Sequence, residues 1–332
     1  MSAQAPSARP NPSSEAPALD AAVRASAHAP SVHGTRPWTV RHVGDRITVG
    51  TDPDRRLAVR DPDAREQVVS CGAALFTVLV TLRAHGVRPA VRELPDPDRP
   101  GLLAEVRSAG AAEPDARDRM LHESVGPRRT HRGPFPADVD DVRTVRALVS
   151  AAAAEGAVLR PLGDERLMRS LAGLVAAAEF LHRCERDTGE ELARWVRAPG
   201  AADPDGVHAE DFPPPDRVAD TLFPDRDYGR GRVRGLLDPH GDVAGTAALL
   251  TTSGDGRGDH LAAGRALQRV LLTAAAGGVS SAFHTQPLEE PHLRAFIGER
   301  LCDGAHPQMI LRLGRGLDAR PHRLFASVED GG

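Results

Sequence analysis

The sequence predicts an α+β fold, with antiparallel strands packed around two related central helices. One observation behind this is a short sequence that occurs twice. Gly72 to Val87 reads GAALFTVLVTLRAHGV and Gly264 to Val279 reads GRALQRVLLTAAAGGV, with nine of the sixteen positions identical. Both copies place apolar residues at helical spacing and end in Gly-Val, which fits a buried helix stopped by a glycine. A second observation is that short β-type runs come in adjacent pairs as well as between helices, a pattern of antiparallel pairing. Two such helices in one chain point to a duplicated and fused unit with a site between its halves. Chance similarity between two Ala/Leu/Val-rich helices is the plainer alternative.

The elements follow in order. Ala18 to Ala29 reads as a helix stopped by Pro30. Trp38 to Val43 and Arg46 to Gly50 read as strands, joined by the hairpin signal Gly44-Asp45. Asp61 to His85 is a long helix, apolar on every side in its middle and therefore central. Pro89 to Leu94 and Leu102 to Ser108 form a strand pair, and Pro114 to Ser124 is a short polar helix. Helices at Val139 to Ala154 and Glu165 to Arg186 flank a strand at Ala157 to Leu162. From Asp187 to Asp242 the chain turns rich in Pro, Gly, Asp and Arg. So long an irregular stretch marks a lid or binding loop, with a disordered insertion as the alternative. The tryptophan in GEELARWVR lies on an amphipathic helix there. Gly245 to Thr252 and Gln308 to Leu313 are strands around the second repeat helix, Asp259 to Ala276, and a short helix at Pro291 to Arg300.

Composition narrows the function. The 332 residues suffice for two ordinary domains or one large one. Lys and Arg number 42 against 46 Asp and Glu, a net charge of −4, so no general attraction to nucleic acid is expected. The positive charge is arginine, suited to forked recognition of carboxylate or phosphate. Cys71, Cys184 and Cys302 make no metal spacing or CxxC pair, which suits a reduced cytoplasmic protein. The start, MSAQAPSARPNPSSEAP, reads as a disordered tail without an apolar signal core. No apolar run approaches the roughly 18 residues of a membrane span. The fourteen histidines form no compact ligand set, so no metal site is expected. GRGRVRG (Gly229 to Gly235) has the wrong spacing for a dinucleotide fingerprint.

Two segments carry the chemistry. Arg128, Arg129, Thr130, His131 and Arg132 set three guanidinium groups and a hydroxyl within five residues, between Pro127 and the Pro134-Phe135 pair. Such a turn suits a phosphate dianion, although a solvated basic patch has the same composition. APSVHGTRPW (Ala29 to Trp38) fixes its backbone with two prolines and a glycine, which aims amides and short side chains at a ligand. Trp38 is most simply a core anchor, and His33 is either a contact to a ring or an exposed loop residue.

Together these segments resemble nitroreductase-type flavoproteins. That family carries an Arg-Arg/His-Ser/Thr-x-Arg/Lys motif, a segment close to PSxxNxQPW, and a Gly-Ala-rich central helix. Here the arginine motif follows the PSxxNxQPW-like segment, and the helix occurs on both sides. That order resembles the Acg-type branch, in which a nitroreductase dimer is fused into one chain. VSSAFHTQPLEEP (Val279 to Pro291) and HPQMILRLGRG (His306 to Gly316) also look like that branch. The resemblance implies a nitroreductase-like fold with two pseudo-twofold-related halves. Residues 1–17 would be a tail, 18–125 the first half and 126–330 the second, with 187–242 inserted as a lid. It implies one FMN between the halves. Arg128, Arg129, Thr130 and Arg132 would hold its phosphate and ribityl chain, while Ser31, His33 and Trp38 would line its surroundings. Gln286, Pro287 and Leu288 would approach the reactive edge of the ring, and Arg320 and Arg323 would add cations near the phosphate. The sequence departs from the family where Gly34 replaces an Asn that contacts the ring and Arg36 replaces a Gln.

The expected function is hydride transfer from NADH or NADPH through FMN to a nitro compound, quinone or similar acceptor. No side chain need act as acid or base, because the flavin carries the chemistry. A low-turnover flavin-binding protein with a shut lid, acting in storage or sensing, is the second reading. A flavin-free scaffold whose arginine turn binds another anion is the third. A pseudo-dimeric, cytoplasmic monomer is expected, open to further self-association and without nucleic-acid or membrane partners.

Overall fold

The computed structural model describes residues 12–132, 135, 137–139, 141–208, 211, 222–224, 226–228 and 245–315. Helix α1 (Pro12–Ala25) starts ahead of the expected Ala18, because the Ala-rich stretch with Glu15 in the first turn already favours a helix. It passes through a 3-10 turn at Ser26–His28 before Pro30. Strands β1 (Trp38–Val43) and β2 (Arg46–Thr51) form the expected hairpin, turned at Gly44 with φ 64°. Helix α2 (Arg65–Ala84), β3 (Val87–Glu93) and β4 (Leu102–Ala111) follow. The four strands make one antiparallel sheet in the order β1-β2-β4-β3. Helix α3 (Ala116–Glu123) is capped by Asp115, whose carboxylate accepts from the Asp118 amide at 2.6 Å.

The remaining chain runs through α4 (Val142–Ala153), β5 (Val158–Pro161), α5 (Glu165–Cys184), α6 (Arg186–Ala193), β6 (Val196–Arg197) and β7 (Val207–His208). It continues through β8 (Thr246–Thr252), α7 (Arg257–Ala276), β9 (Ser280–Phe283), α8 (Pro291–Leu301) and β10 (His306–Gly314). A second antiparallel sheet has the order β5-β8-β10-β9. In each sheet the strands before and after the central helix are separated by the last strand of the set. The two sheets therefore share one connectivity. The sequence reading lacks β9, since SSAF is too short to show an alternating pattern. Trp195 stands beyond the end of α6 and not on a helix; Arg197 lies over its ring at 5.7 Å.

The two repeat segments are α2 and α7, and they cross at their shared glycine. A Cβ placed on Gly72 would stand 2.3 Å from the Leu261 carbonyl oxygen and 2.9 Å from Gly264 Cα. One placed on Gly264 would stand 2.0 Å from the Val69 oxygen and 2.7 Å from Gly72 Cα. Val69 and Leu261 hold the same place in the repeat, so each helix meets the other through equivalent atoms. The exchange extends into the cores. Leu261 packs with Ile47, Val49 and Leu103 under the first sheet, and Val69 packs with Leu250, Leu311 and Leu313 under the second. Both copies end as their glycines require, with φ 78° at Gly86 and 69° at Gly278.

Every residue of α2 from Arg65 to Leu82 is buried. Its length and hydropathy would also suit a membrane span, contrary to the expectation that no segment comes close. Burial within the protein accounts for that composition. Thr77 of α2 is partnered across the seam, where Gln268 Nε2 donates to its Oγ1 at 2.9 Å. The start of the helix is capped by Asp61, which accepts from the amides of Glu66 at 3.1 Å and Gln67 at 2.8 Å.

The crossing predicts that Gly264→Ala or Gly72→Ala forces the helices apart and destabilises the protein by about 1–3 kcal/mol. Denaturant unfolding measures it; a loss under about 0.5 kcal/mol, the range of neutral surface substitutions, would show that the backbones do not meet there.

Candidate functional site

Beside this crossing lies a cavity of about 710 Å³, and the two chemistry-bearing segments both line it. One wall is the loop from Ala29 to Arg36; another is the turn from Arg128 to Arg132. The floor comes from Glu66, Val69 and Ser70 on α2 and Leu267 on α7, with Phe283, Thr285 and Met309 from the second sheet region. The Pro-rich stretch adds Pro204, Gly206, His208, Asp211, Arg226 and Tyr228.

The first loop is held in a tight, partly left-handed path. His33, Gly34 and Arg36 have φ of 47°, 66° and 47°. The path is fixed by Ser31 Oγ, which accepts from the Arg36 amide at 2.9 Å, and by Ser70 Oγ, which accepts from the Val32 amide at 3.3 Å. Gly34 is required both by its φ and by its neighbour: a Cβ there would stand 2.2 Å from the Gly206 carbonyl oxygen. The Gly206 amide in turn donates to the Gly34 oxygen at 2.9 Å. The departure at Gly34 thus exchanges a side chain for close approach of the Pro-rich stretch. Asp205 latches that approach, accepting from Arg55 at 2.5 Å and Arg197 at 3.0 Å. Burial opposes its charge, but these two hydrogen bonds hold its carboxyl below the usual range.

The arginine turn is docked by its backbone. The His131 amide donates to Ser281 O at 2.8 Å, and the His131 ring stacks on Phe135 with centroids 4.2 Å apart. Arg128 donates to the His28 carbonyl at 3.3 Å, while its Nε is buried without a partner among the described residues. Burial, followed by repulsion from Arg129, pushes the Arg128 guanidinium down to about 10. A cation so enclosed calls for an anion in the cavity. Arg129 is exposed and donates to the carbonyls of Gly126 and Arg128, whereas Arg132 approaches Asp211 at 3.8 Å. Thr130 lines the cavity and bridges to Ser281.

His33 is buried in the wall, with Nδ1 2.9 Å from the hydroxyl of Tyr228, the chain's single tyrosine. Its Nε2 has no partner among the described residues, and burial with the nearby Arg226 lowers it to about 3, so the ring is neutral. Arg226 forks onto the fully buried Glu289. Burial works against the Glu289 charge, but Arg226 keeps its carboxyl well below the ordinary range. Arg60 joins the same carboxylate at 3.3 Å and pairs with Glu185 and Glu290. The first sheet's loop, the Pro-rich stretch and the segment before α8 are thereby tied together by charge.

Ser31, His33, Arg128, Arg129, Thr130 and Arg132 are thus brought to one cavity. Trp38 packs instead beside Ala29, Ala73 and Ala74. Gln286, Pro287 and Leu288 form a buried 3-10 turn one residue beyond the wall, which Thr285 lines in their place. Gln286 Nε2 donates to Glu179 at 3.3 Å, and Leu288 packs with Leu171 and Ile310. Arg320 and Arg323 lie outside the described residues, as do residues 1–11 of the expected tail and most of 209–244. The sequence reading lacks Glu66, Ser70, Thr285, Arg226 and Tyr228. The polar Arg-Glu-Gln start of an otherwise apolar helix and the lone tyrosine were the available signals. Among the described residues no cluster of His, Cys, Asp and Glu is arranged to hold a metal.

Glu66 has one oxygen 2.8 Å from Arg65 and the other buried without a partner. Burial, with Glu289 adding to it, outweighs Arg65 and raises Glu66 to about 8. A folded-state carboxyl raised above its unfolded value contributes stability at low pH that is lost as pH rises through about 8. Glu66→Gln is therefore expected to flatten the fall in stability between about pH 5 and 9, measured by denaturant unfolding across that range. Parallel pH curves for the two proteins would mean Glu66 is ionised in the fold.

No family model matches the chain. A Mycobacterium tuberculosis protein provisionally named an NAD(P)H nitroreductase is 34% identical over 293 residues, covering 86% of this chain and 81% of its own. The Acg protein of the same organism, with the same provisional name, is 27% identical over 313 residues, covering 89% and 88%. A solved nitroreductase with bound FMN from Desulfitobacterium hafniense is 13% identical with a TM-score of 0.36, covering 61% of this chain and 93% of that one, a likeness too slight to decide anything. On the strength of the mycobacterial relatives, and with both motif segments on one cavity beside the paired helices, the chain belongs to the nitroreductase-like family that includes Acg.

Proposed function

We propose that the chain is an FMN-dependent oxidoreductase of the nitroreductase type, passing electrons from NADH or NADPH to a nitro compound, quinone or similar acceptor. The observation that carries this reading is the single cavity shared by the Arg128 to Arg132 turn and the Ser31 to Arg36 loop. The residues suit FMN on chemical grounds. Arg128, with its unpartnered Nε, offers a charge-assisted donor for the phosphate dianion, and Thr130 and Arg132 stand beside it. Val69, Leu267, Phe283 and Met309 offer an apolar surface for a flat ring. When bound, FMN supplies hydride acceptance and release, and the chain's own residues bind it, orient it and govern access. The relatives' names support a nicotinamide donor. The cavity beside the crossing of α2 and α7, with the shared connectivity of the two sheets, supports a fused, pseudo-dimeric chain with halves near 18–125 and 126–330 and one FMN between them.

A second reading is favoured by one observation. The stretch from Pro204 to His208 is latched over the cavity wall through Gly206 and Asp205. If that lid stays shut, the protein holds flavin with little turnover.

Purification tests the first reading: a yellow protein with about one FMN per chain is expected. A colourless protein that added FMN does not turn yellow would refute both flavin readings and leave an anion-binding scaffold. Anaerobic mixing with NADH or NADPH separates the two; bleaching of the flavin supports turnover, and flavin that stays oxidised supports sequestration. Arg128→Ala combined with Arg132→Ala is expected to weaken FMN binding at least tenfold more than Arg36→Ala, read by fluorescence titration. Equal losses would mean that the phosphate lies elsewhere.

A further inference from the structure

Among the described residues five arginines line the cavity, and their partners divide them. Arg226 is neutralised by Glu289, and Arg132 faces Asp211. Arg128 and Arg129 share one turn, placed for the cofactor phosphate under the reading above. Arg36 stands apart, on the loop joined to Pro204–His208. Its guanidinium makes no hydrogen bond or ion pair among the described residues. Asp205, whose charge acts on Arg36, already accepts from Arg55 and Arg197.

The backbone works to keep Arg36 there. Its φ of 47° is a conformation that side-chain-bearing residues adopt only under constraint. Ser31 Oγ holds its amide, and the Trp38 amide donates to its carbonyl at 2.8 Å. A residue whose backbone is fixed beside a cavity, with a guanidinium that no carboxylate among the described residues hydrogen-bonds, is a built binding point. FMN brings one phosphate, and the Arg128 turn is placed for it. Arg36 is left for a different anion.

We propose that Arg36 is a second anion-binding point of this cavity, serving a carboxylate, sulfonate or phosphate on the molecule that exchanges electrons there. The proposal rests on the flavin reading for the identity of the first anion. It names the substrate class: a nitroaromatic or quinoid acceptor bearing a negative group, or a nicotinamide donor read by its extra phosphate. Arg36, standing where the family has a neutral Gln, would set that preference.

The test uses the full-length FMN-loaded protein and isothermal titration calorimetry, which needs no turnover. The acceptor probes are 4-nitrobenzoate and its neutral counterpart 4-nitrobenzamide; the donor-site probes are the non-reducing NADP+ and NAD+. Arg36→Gln is expected to lower the preference for the charged member of one pair by about tenfold, with Arg36→Lys retaining part of it. A shift in the benzoate pair assigns the anion to the acceptor, and a shift in the nicotinamide pair assigns it to the donor's phosphate. Both ratios holding within twofold in yellow Arg36→Gln protein would overturn the proposal. So would Arg36→Gln losing FMN as strongly as Arg128→Ala. Should the parent protein bind no FMN, the flavin reading fails by itself. The same titrations on the colourless protein then judge Arg36 alone: a tenfold loss for 4-nitrobenzoate sustains the anion point, and no loss ends it.

Discussion

Backbone contact between Gly72 and Gly264 is the constraint on which the rest of the structure depends. Helices that carry larger residues at their contact sit about 8–10 Å apart. Here a Cβ on either glycine would fall within 3 Å of the opposing Cα, so the two axes come closer than ordinary side chains permit. That approach brings each sheet near the other's helix. It also explains why Val69 and Leu261 cross into opposite cores. The cavity sits beside the same crossing, with a floor built from both helices. A loosened crossing would therefore disturb binding as well as stability.

Charge organises the cavity once packing has placed it. The walls hold guanidinium groups, a neutral His33 and a Glu66 carboxyl kept protonated by burial. Among the described residues, Asp211 faces Arg132 and Glu289 answers Arg226. The buried Arg60, Arg226 and Glu289 cluster has a different role. Its charges are paired with one another and join three distant parts of the chain. Breaking one member would leave an uncompensated charge in the interior, a costly state.

Much of this architecture was legible from residues. The repeat around Gly72 and Gly264 exposed the central helices because a close crossing demands glycine and small or apolar neighbours at fixed places. The hairpin at Gly44 and the basic turn at Arg128 were legible for the same local reason. What escaped was decided by distant partners. Gln286 reads as a ring contact beside Pro287, but tertiary packing turns it toward Glu179 and leaves Thr285 at the wall. Glu66 and Tyr228 carry only faint local signals, a polar helix start and a lone tyrosine; the fold reveals that one is stripped of water and the other meets His33. Gly34 looks like a lost function in the sequence. In three dimensions it is the place where two backbone segments touch.

The swap of Val69 and Leu261 between cores has a consequence during synthesis. A nascent chain that has emerged only as far as α3 owns a complete first sheet, yet one residue of the core beneath it, Leu261, is still to be translated. Until α7 leaves the ribosome, α2 exposes an apolar flank that no nearby segment covers. Contacts this far apart in sequence form late and slowly, which leaves early intermediates open to aggregation. The core under the first sheet is closed only once Leu261 of α7 has been made.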